Sequence, residues 1–182
     1  NKTNTTYDLV YHDLFRTFFE PNPNMKIPQL LDSMGLIPGE YAAAHLRALY
    51  RSNNRPTDAL VKMARHALDC ARRLRPEGPY YFASDGKIAT EAAAQYGKDN
   101  DVHVATLVTS NDTASPLHLD KANSTSPEDY YATFIDLYLL GSSRCLSYSN
   151  GGYGTYGLIL GYNASCHSRH LKNRQQLDCV DG

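Results

Sequence analysis

The sequence predicts an α/β domain: a Rossmann-like parallel sheet with helices on both faces. Three observations carry that expectation. Short apolar runs alternate with helical segments along most of the chain, and strands joined through helices run parallel. The connections between successive runs are long enough for crossovers. The 182 residues, 42% of them hydrophobic, suit one domain with a substantial core.

The elements follow in order. Tyr7 to Phe19 repeats apolar residues at helical spacing, with Val10, Leu14 and Phe18 beside Tyr11, Phe15 and Phe19, until Pro21 and Pro23 stop it. A short helix is expected over Ile27 to Met34, with Pro28 in its first turn and Gly35 as its terminator. Tyr41 to Leu46 reads as the first strand, small and apolar before a polar end. Asp58 to Leu74 is the best helix. Leu60, Val61, Ala64, Ala67, Leu68, Ala71 and Leu74 form its stripe, Thr57 is placed to cap it, and Arg72, Arg73 and Arg75 suit its negative end. Pro79 to Ala83 is the second strand, a helix over Ile88 to Tyr96 ends at Gly97, and Val102 to Val108 is the third strand. Beyond a polar loop, Thr109 to Thr125, the run Ser126-Pro-Glu-Asp129 announces a helix to about Leu140 with a capping hydroxyl, an early proline and two carboxylates. Arg144 to Tyr148 is the fourth strand, running into Ser149-Asn-Gly-Gly-Tyr-Gly154 and a last apolar helix to about Leu160. The expected organisation is an N-terminal helical segment over 1–40, an α/β domain over 41–165 and a C-terminal tail over 166–182.

Composition restricts partners and compartment. A formal net charge of -1 gives no electrostatic reason to expect a nucleic-acid or anionic-membrane partner. No apolar run approaches the roughly 20 residues that span a bilayer, so membrane attachment is expected only through a segment outside this chain. The first residue is Asn1 and no signal peptide follows, which suggests a processed product or a piece of something longer. Glycosylation sequons at Asn1, Asn4, Asn111, Asn123 and Asn163 are an excess that argues for the secretory pathway. Cys166 and Cys179 flank a polar segment and are placed to close it as a loop, whereas Cys70 and Cys145 read as buried thiols. No C-x-x-C pair exists, so no metal is expected.

Ligands of such sheets sit at the carboxyl ends of the strands. His45 and Arg47 project to one side there, and an arginine fork suits a phosphate or pyrophosphate; pairing of Arg47 with a carboxylate is an equal alternative. Asp85, in Ser84-Asp85-Gly86, has a ready explanation as a turn residue. Asp136 lies in a helix apolar around most of its circumference, so it needs a cation or several donors, with Arg47 or a ligand hydroxyl as the natural partner. Ser149, Asn150 and Gly151 open a turn whose small residues let backbone N–H groups approach phosphate oxygens, although an ordinary glycine-rich turn reads the same way.

The order of these features is more specific than any one of them. His-x-Arg after the first strand, Ser-Asp after the second, an apolar helix carrying Asp and a Ser/Gly-rich turn into a helix together resemble the carboxyl-terminal half of fucosyltransferases. That superfamily includes the α1,6-fucosyltransferases, the bacterial nodulation fucosyltransferases and the protein O-fucosyltransferases. The resemblance runs from about Tyr41 to Leu160 and is closest over Phe134 to Leu160, with Ser149-Asn150-Gly151 standing where the family often has Ser-Ser or Ser-Thr.

The resemblance implies the donor-binding half of a GT-B glycosyltransferase, with the facing half upstream of Asn1. It implies a metal-independent inverting transferase, without a cofactor, that takes GDP-fucose as donor and a glycan or glycoprotein as acceptor in the Golgi or ER lumen. Arg47 and His45 would act on the departing diphosphate. Asp85 and Asp136 match acidic positions near the nucleoside and the site, and Ser149, Asn150 and Gly151 would contact phosphate. No residue is assignable as the base; Asp58 is the nearest carboxylate and is better explained by the first turn of its helix. A non-catalytic carbohydrate- or protein-binding module with the same fold is the alternative. A hydrolase is disfavoured, because no G-x-S-x-G turn occurs.

Overall fold

The structure, a computed structural model, describes residues 7–48, 56–107, 126–161, 166–172 and 175–179. Five strands form one sheet: β1 (Ala42–Leu46), β2 (Tyr80–Ser84), β3 (Val104–Thr106), β4 (Cys145–Tyr148) and β5 (His167–Arg169). Their order is β3-β2-β1-β4-β5, and every neighbouring pair is parallel. Helices α3 (Thr57–Leu74) and α4 (Lys87–Asp99) cover one face. Helices α5 (Tyr131–Gly141) and α6 (Gly152–Ile159) cover the other, joined by α2 (Ile27–Ser33). The α/β expectation is met.

β1 is central and buried on both sides, which explains its continuous apolar run. Ala42, Ala44 and Leu46 pack under the α3 stripe of Leu60, Ala64, Ala67 and Leu68. Tyr41 and Ala43 pack under Ile135, Leu139 and Leu140 of α5. Alanine at three successive positions lets helices approach the sheet closely from both faces at once. α2 ends at Gly35 (φ 61), where the Gly35 N–H reaches the Asp32 carbonyl and the Leu36 N–H reaches the Leu31 carbonyl. That is a Schellman stop in the left-handed conformation glycine adopts without strain. α1 (Tyr7–Phe18) touches α6 where His12 Nδ1 donates to the Leu160 carbonyl at 3.0 Å, but Val10, Leu14 and Phe18 of its apolar stripe face solvent.

Several expectations need correction. Residues 166–182 are not merely a tail: they supply β5 and a small antiparallel hairpin, β6 (Leu171–Lys172) with β7 (Gln175–Gln176). A three-residue edge strand carries too little apolar periodicity to be read from sequence. Cys166 pairs with Cys145 and Cys179 with Cys70, so neither the Cys166–Cys179 loop nor the two buried thiols exist. The reason is spatial. β5 lies beside β4, which brings Cys166 next to Cys145, and the last segment returns over α3 to Cys70.

Local signals also shifted. Thr57 is the first residue of α3 rather than its cap. Gly97 lies inside α4, where a Cβ would sit 2.9 Å from the Val102 carbonyl oxygen, so it permits close packing rather than ending the helix. Ser126 donates to the Glu128 carboxylate, and a 3-10 turn over Pro127–Tyr130 precedes α5. The third strand is shorter than expected, Val104–Thr106, and Val108 lies outside the described residues.

The two disulfides fit an extracellular or lumenal setting. Among the described residues no helix is long and apolar enough to cross a membrane. Asn1, Asn4, Asn111, Asn123 and Asn163 all lie outside the described residues.

Candidate functional site

Strand order reverses between β1 and β4: β2 and β3 lie on one side of β1, β4 and β5 on the other. In open parallel sheets the helices diverge at such a point and leave a crevice beyond the carboxyl ends of the strands. Five of the singled-out residues, His45, Arg47, Ser149, Asn150 and Gly151, meet there.

Two of them are tied through the main chain. The Arg47 N–H donates to Ser149 Oγ at 2.8 Å, and the Ser149 N–H donates to the His45 carbonyl at 3.1 Å. β1 and β4 are thus held together just past their last sheet pair. Gly151 has φ 100 and presents no side chain to the Arg47 guanidinium, which lies where a Cβ would be 2.8 Å from Nη1. Glycine is needed here twice over, for the left-handed backbone and for the approach. Asn150 accepts from Arg169 Nη2 at 3.2 Å, which brings a second arginine to the same turn. Sequence reasoning missed Arg169 because it assigned no strand to residues 167–169.

His45 is buried, 5% exposed, and its Nδ1 has no hydrogen-bond partner among the described residues. Its ring lies 5.1 Å from that of Tyr153, and a Cβ at Gly154 would be 3.1 Å from Nδ1. Burial lowers its pKa to about 4; Asp85 works against this and Arg47 with it. At neutral pH it is therefore a neutral imidazole, which donates from one nitrogen and accepts at the other.

Asp85 has a structural tie as well as a place near the site: its Oδ1 accepts from the Ala48 N–H at 2.5 Å and joins the ends of β1 and β2. Its turn-residue explanation suffices for that contact. Ser84 Oγ completes the turn by accepting from the Gly86 N–H at 3.2 Å.

Asp136 is 3% exposed, and its partner is the Tyr81 hydroxyl on β2, not Arg47. The correction has a simple cause. Asp136 faces the sheet from the middle of α5, whereas the Arg47 guanidinium lies past the strand end against Gly151. Burial raises the Asp136 pKa to about 7, against the pull of the Tyr81 hydrogen bond. Tyr153 connects the two regions. Its ring packs on His45, its hydroxyl donates to the Thr133 carbonyl, and its pKa is raised by burial and by the charge of Asp136. Asp136 therefore lies on the same side of the sheet as His45, beneath the site rather than at its mouth.

Below β4, Ser147 Oγ and His170 Nδ1 are 2.8 Å apart, and burial lowers the His170 pKa to about 3. His66, Cys70 and Cys179 offer ligand atoms within 4.8 Å of one another, but both sulfurs are committed to a disulfide and only a thiolate ligates strongly. Asp58 sits exposed in the first turn of α3, as its sequence position suggested.

The arrangement is suited to an anion. One guanidinium packs on a glycine, a second meets an amide oxygen, and α6 starts one residue past Gly151, where the first-turn N–H groups of a helix have no partner within the helix. Comparison of the chain with protein-family models, with curated proteins and with solved structures finds no match in any of the three.

Proposed function

We propose that this chain is the donor-binding half of a nucleotide-sugar-dependent glycosyltransferase of GT-B type, with GDP-fucose as donor. The single observation that carries the reading is the lock at the strand reversal: Arg47 fixed through Ser149 Oγ with its guanidinium against Gly151 at the entry to α6. The strand order agrees with it, since β3-β2-β1-β4-β5 is the order of dinucleotide-binding sheets. The resemblance over Tyr41 to Leu160 supplies the class of donor.

The chemistry follows from the donors present. The acceptor hydroxyl attacks the anomeric carbon, the bond from that carbon to the diphosphate oxygen breaks, the electron pair leaves with GDP, and the hydroxyl proton passes to water or to the departing diphosphate. Negative charge grows on the departing diphosphate, and Arg47, the backbone N–H groups of α6 and the neutral His45 ring would be the donors that meet it. They would take the place a metal has in other transferases; a metal-independent transfer with inversion at the anomeric centre is what the resemblance implies. Golgi or ER residence is part of the same reading, supported by the sequons and the two disulfides.

Calorimetric titration with GDP and GDP-fucose tests it. Saturable heat in the wild type that disappears in Arg47→Ala is the expected result. Equal heats in the two proteins, or none in the wild type, would favour the non-catalytic module.

A further inference from the structure

The register across the sheet puts three side chains in one row at its carboxyl end: His45 pairs with Tyr148, and Tyr148 pairs with Arg169. Side chains of paired residues in parallel strands point to the same face. Arg169 therefore faces the same side as His45, the side on which α6 lies. Arg169 is half-buried, its Nε is buried without a hydrogen-bond partner among the described residues, and its Nη2 meets the neutral Asn150 oxygen at 3.2 Å. Among the described residues no carboxylate pairs with it.

A partly desolvated guanidinium with one neutral acceptor is undercompensated, because its five donors and its charge favour an anion. The neighbourhood says which anion. Successive residues of one turn touch the two arginines in alternation: Ser149 holds the Arg47 backbone, Asn150 meets Arg169, and Gly151 faces the Arg47 guanidinium. Two forks flank a single turn at the start of α6.

We propose that Arg169 is a second anion-binding residue of this site, holding one phosphate of a nucleoside diphosphate while Arg47 holds the other. The proposal rests on the nucleotide-sugar reading above and extends it to a residue contributed by the last strand.

The covalent structure places this residue. Cys166 is bonded to Cys145, and each lies three residues before a member of the terminal pair, Arg169 and Tyr148. The disulfide staples the entry of β4 to the entry of β5, and equal strand lengths of about 10 Å then deliver Arg169 beside Asn150. β5 is only three residues long and is held by the short ladder to β4, with the Leu146 N–H on the Cys166 carbonyl and the His170 N–H on the Tyr148 carbonyl. The staple reinforces that register.

The test is calorimetry on the full chain with GDP, guanosine and inorganic pyrophosphate, using the wild type, Arg169→Ala, Arg169→Gln and Arg47→Ala. Loss of a charge-assisted contact predicts a roughly ten- to hundredfold weaker GDP affinity in both Arg169 variants, with guanosine affinity within about twofold of wild type. Pyrophosphate binding falls in parallel, and the dependence of GDP affinity on salt becomes shallower. The glutamine amide keeps a donor for Asn150, so loss of GDP binding in Arg169→Gln, with an unchanged thermal midpoint, supports a ligand contact even if Arg169→Ala folds poorly. GDP binding at wild-type strength in Arg169→Gln, while Arg47→Ala abolishes it, overturns this proposal and leaves the nucleotide-sugar reading standing. Failure of the wild type to bind either GDP or pyrophosphate overturns both.

Discussion

Arg47 and Ser149 are joined by backbone rather than by charge: the Arg47 N–H donates to Ser149 Oγ at 2.8 Å across 102 residues of sequence. The serine is fully buried, so the amide has no water to turn to if the hydroxyl is lost. Ser149→Ala is expected to cost about 1–3 kcal/mol in urea unfolding, the range for a buried donor left unsatisfied. GDP affinity should fall with it, because the strand end that aims Arg47 loosens. An unchanged unfolding midpoint would show that the bond holds nothing together.

Gly151 separates binding from folding. In Gly151→Ala the new methyl meets Arg47 Nη1 at 2.8 Å, and the backbone is held at φ 100. The guanidinium is the far end of a flexible side chain, so it swings away and relieves the clash; backbone strain of about 1–3 kcal/mol remains, because φ 100 with ψ 163 is a region that glycine alone adopts readily. The expected phenotype is a modest loss of stability with at least a roughly tenfold loss of GDP affinity, read by calorimetry beside a melting curve. Wild-type affinity would mean that Arg47 does not bind from where it sits.

Asp136 makes stability depend on pH in a direction opposite to most carboxylates. Its folded pKa is raised from 3.8 to about 7, so the folded state holds the proton more tightly than the unfolded chain does. Its contribution is fully present below about pH 4 and is lost as pH rises through about 7. Asp136→Asn, which keeps an oxygen for the Tyr81 hydroxyl, should therefore stabilise the protein at pH 8 by up to about 4 kcal/mol. At pH 4 it should change little. Urea midpoints at the two pH values check this, and a variant less stable at pH 8 contradicts it.

His45 and His170 act the other way. Burial lowers them from 6.5 to about 4 and about 3, so the unfolded chain binds protons that the folded state refuses. Stability is lost as pH falls from 6.5 toward those values. Between pH 6.5 and 4 two histidines oppose one aspartate, and the net expectation is weakening toward acid. His170→Gln should flatten that slope in urea midpoints taken at pH 7 and pH 5; an unaltered slope would place the acid sensitivity elsewhere.

The disulfides should differ in what they protect. Cys70–Cys179 closes a separation of 109 residues and Cys145–Cys166 one of 21. Loop-closure entropy then assigns about 5 kcal/mol to the first and about 3 kcal/mol to the second. Replacing Cys70 and Cys179 by serine is expected to cost more stability, and replacing Cys145 and Cys166 to cost more GDP affinity, since the latter pair staples β5, which carries Arg169, to β4. Peptide mapping of the unreduced protein should recover these two pairs; a Cys166–Cys179 peptide would refute the pairing.

What the sequence determined by itself was the alternation of elements, and with it the parallel sheet. Apolar period, prolines and helix-end glycines are local signals, and α2, α3 and β1 were legible from them to within a residue or two. The same locality placed His45 and Arg47 on one side and put Ser149 to Gly151 at a helix entry. Only the tertiary structure decided which strand lies beside which, and so which distant residues meet: Tyr81 with Asp136, Cys145 with Cys166, and Asn150 with Arg169. The physical reason is that periodicity reports which way a side chain faces but carries no record of its neighbour across the sheet. A three-residue strand such as β5, held by a disulfide and by its partner, leaves almost no periodicity to read.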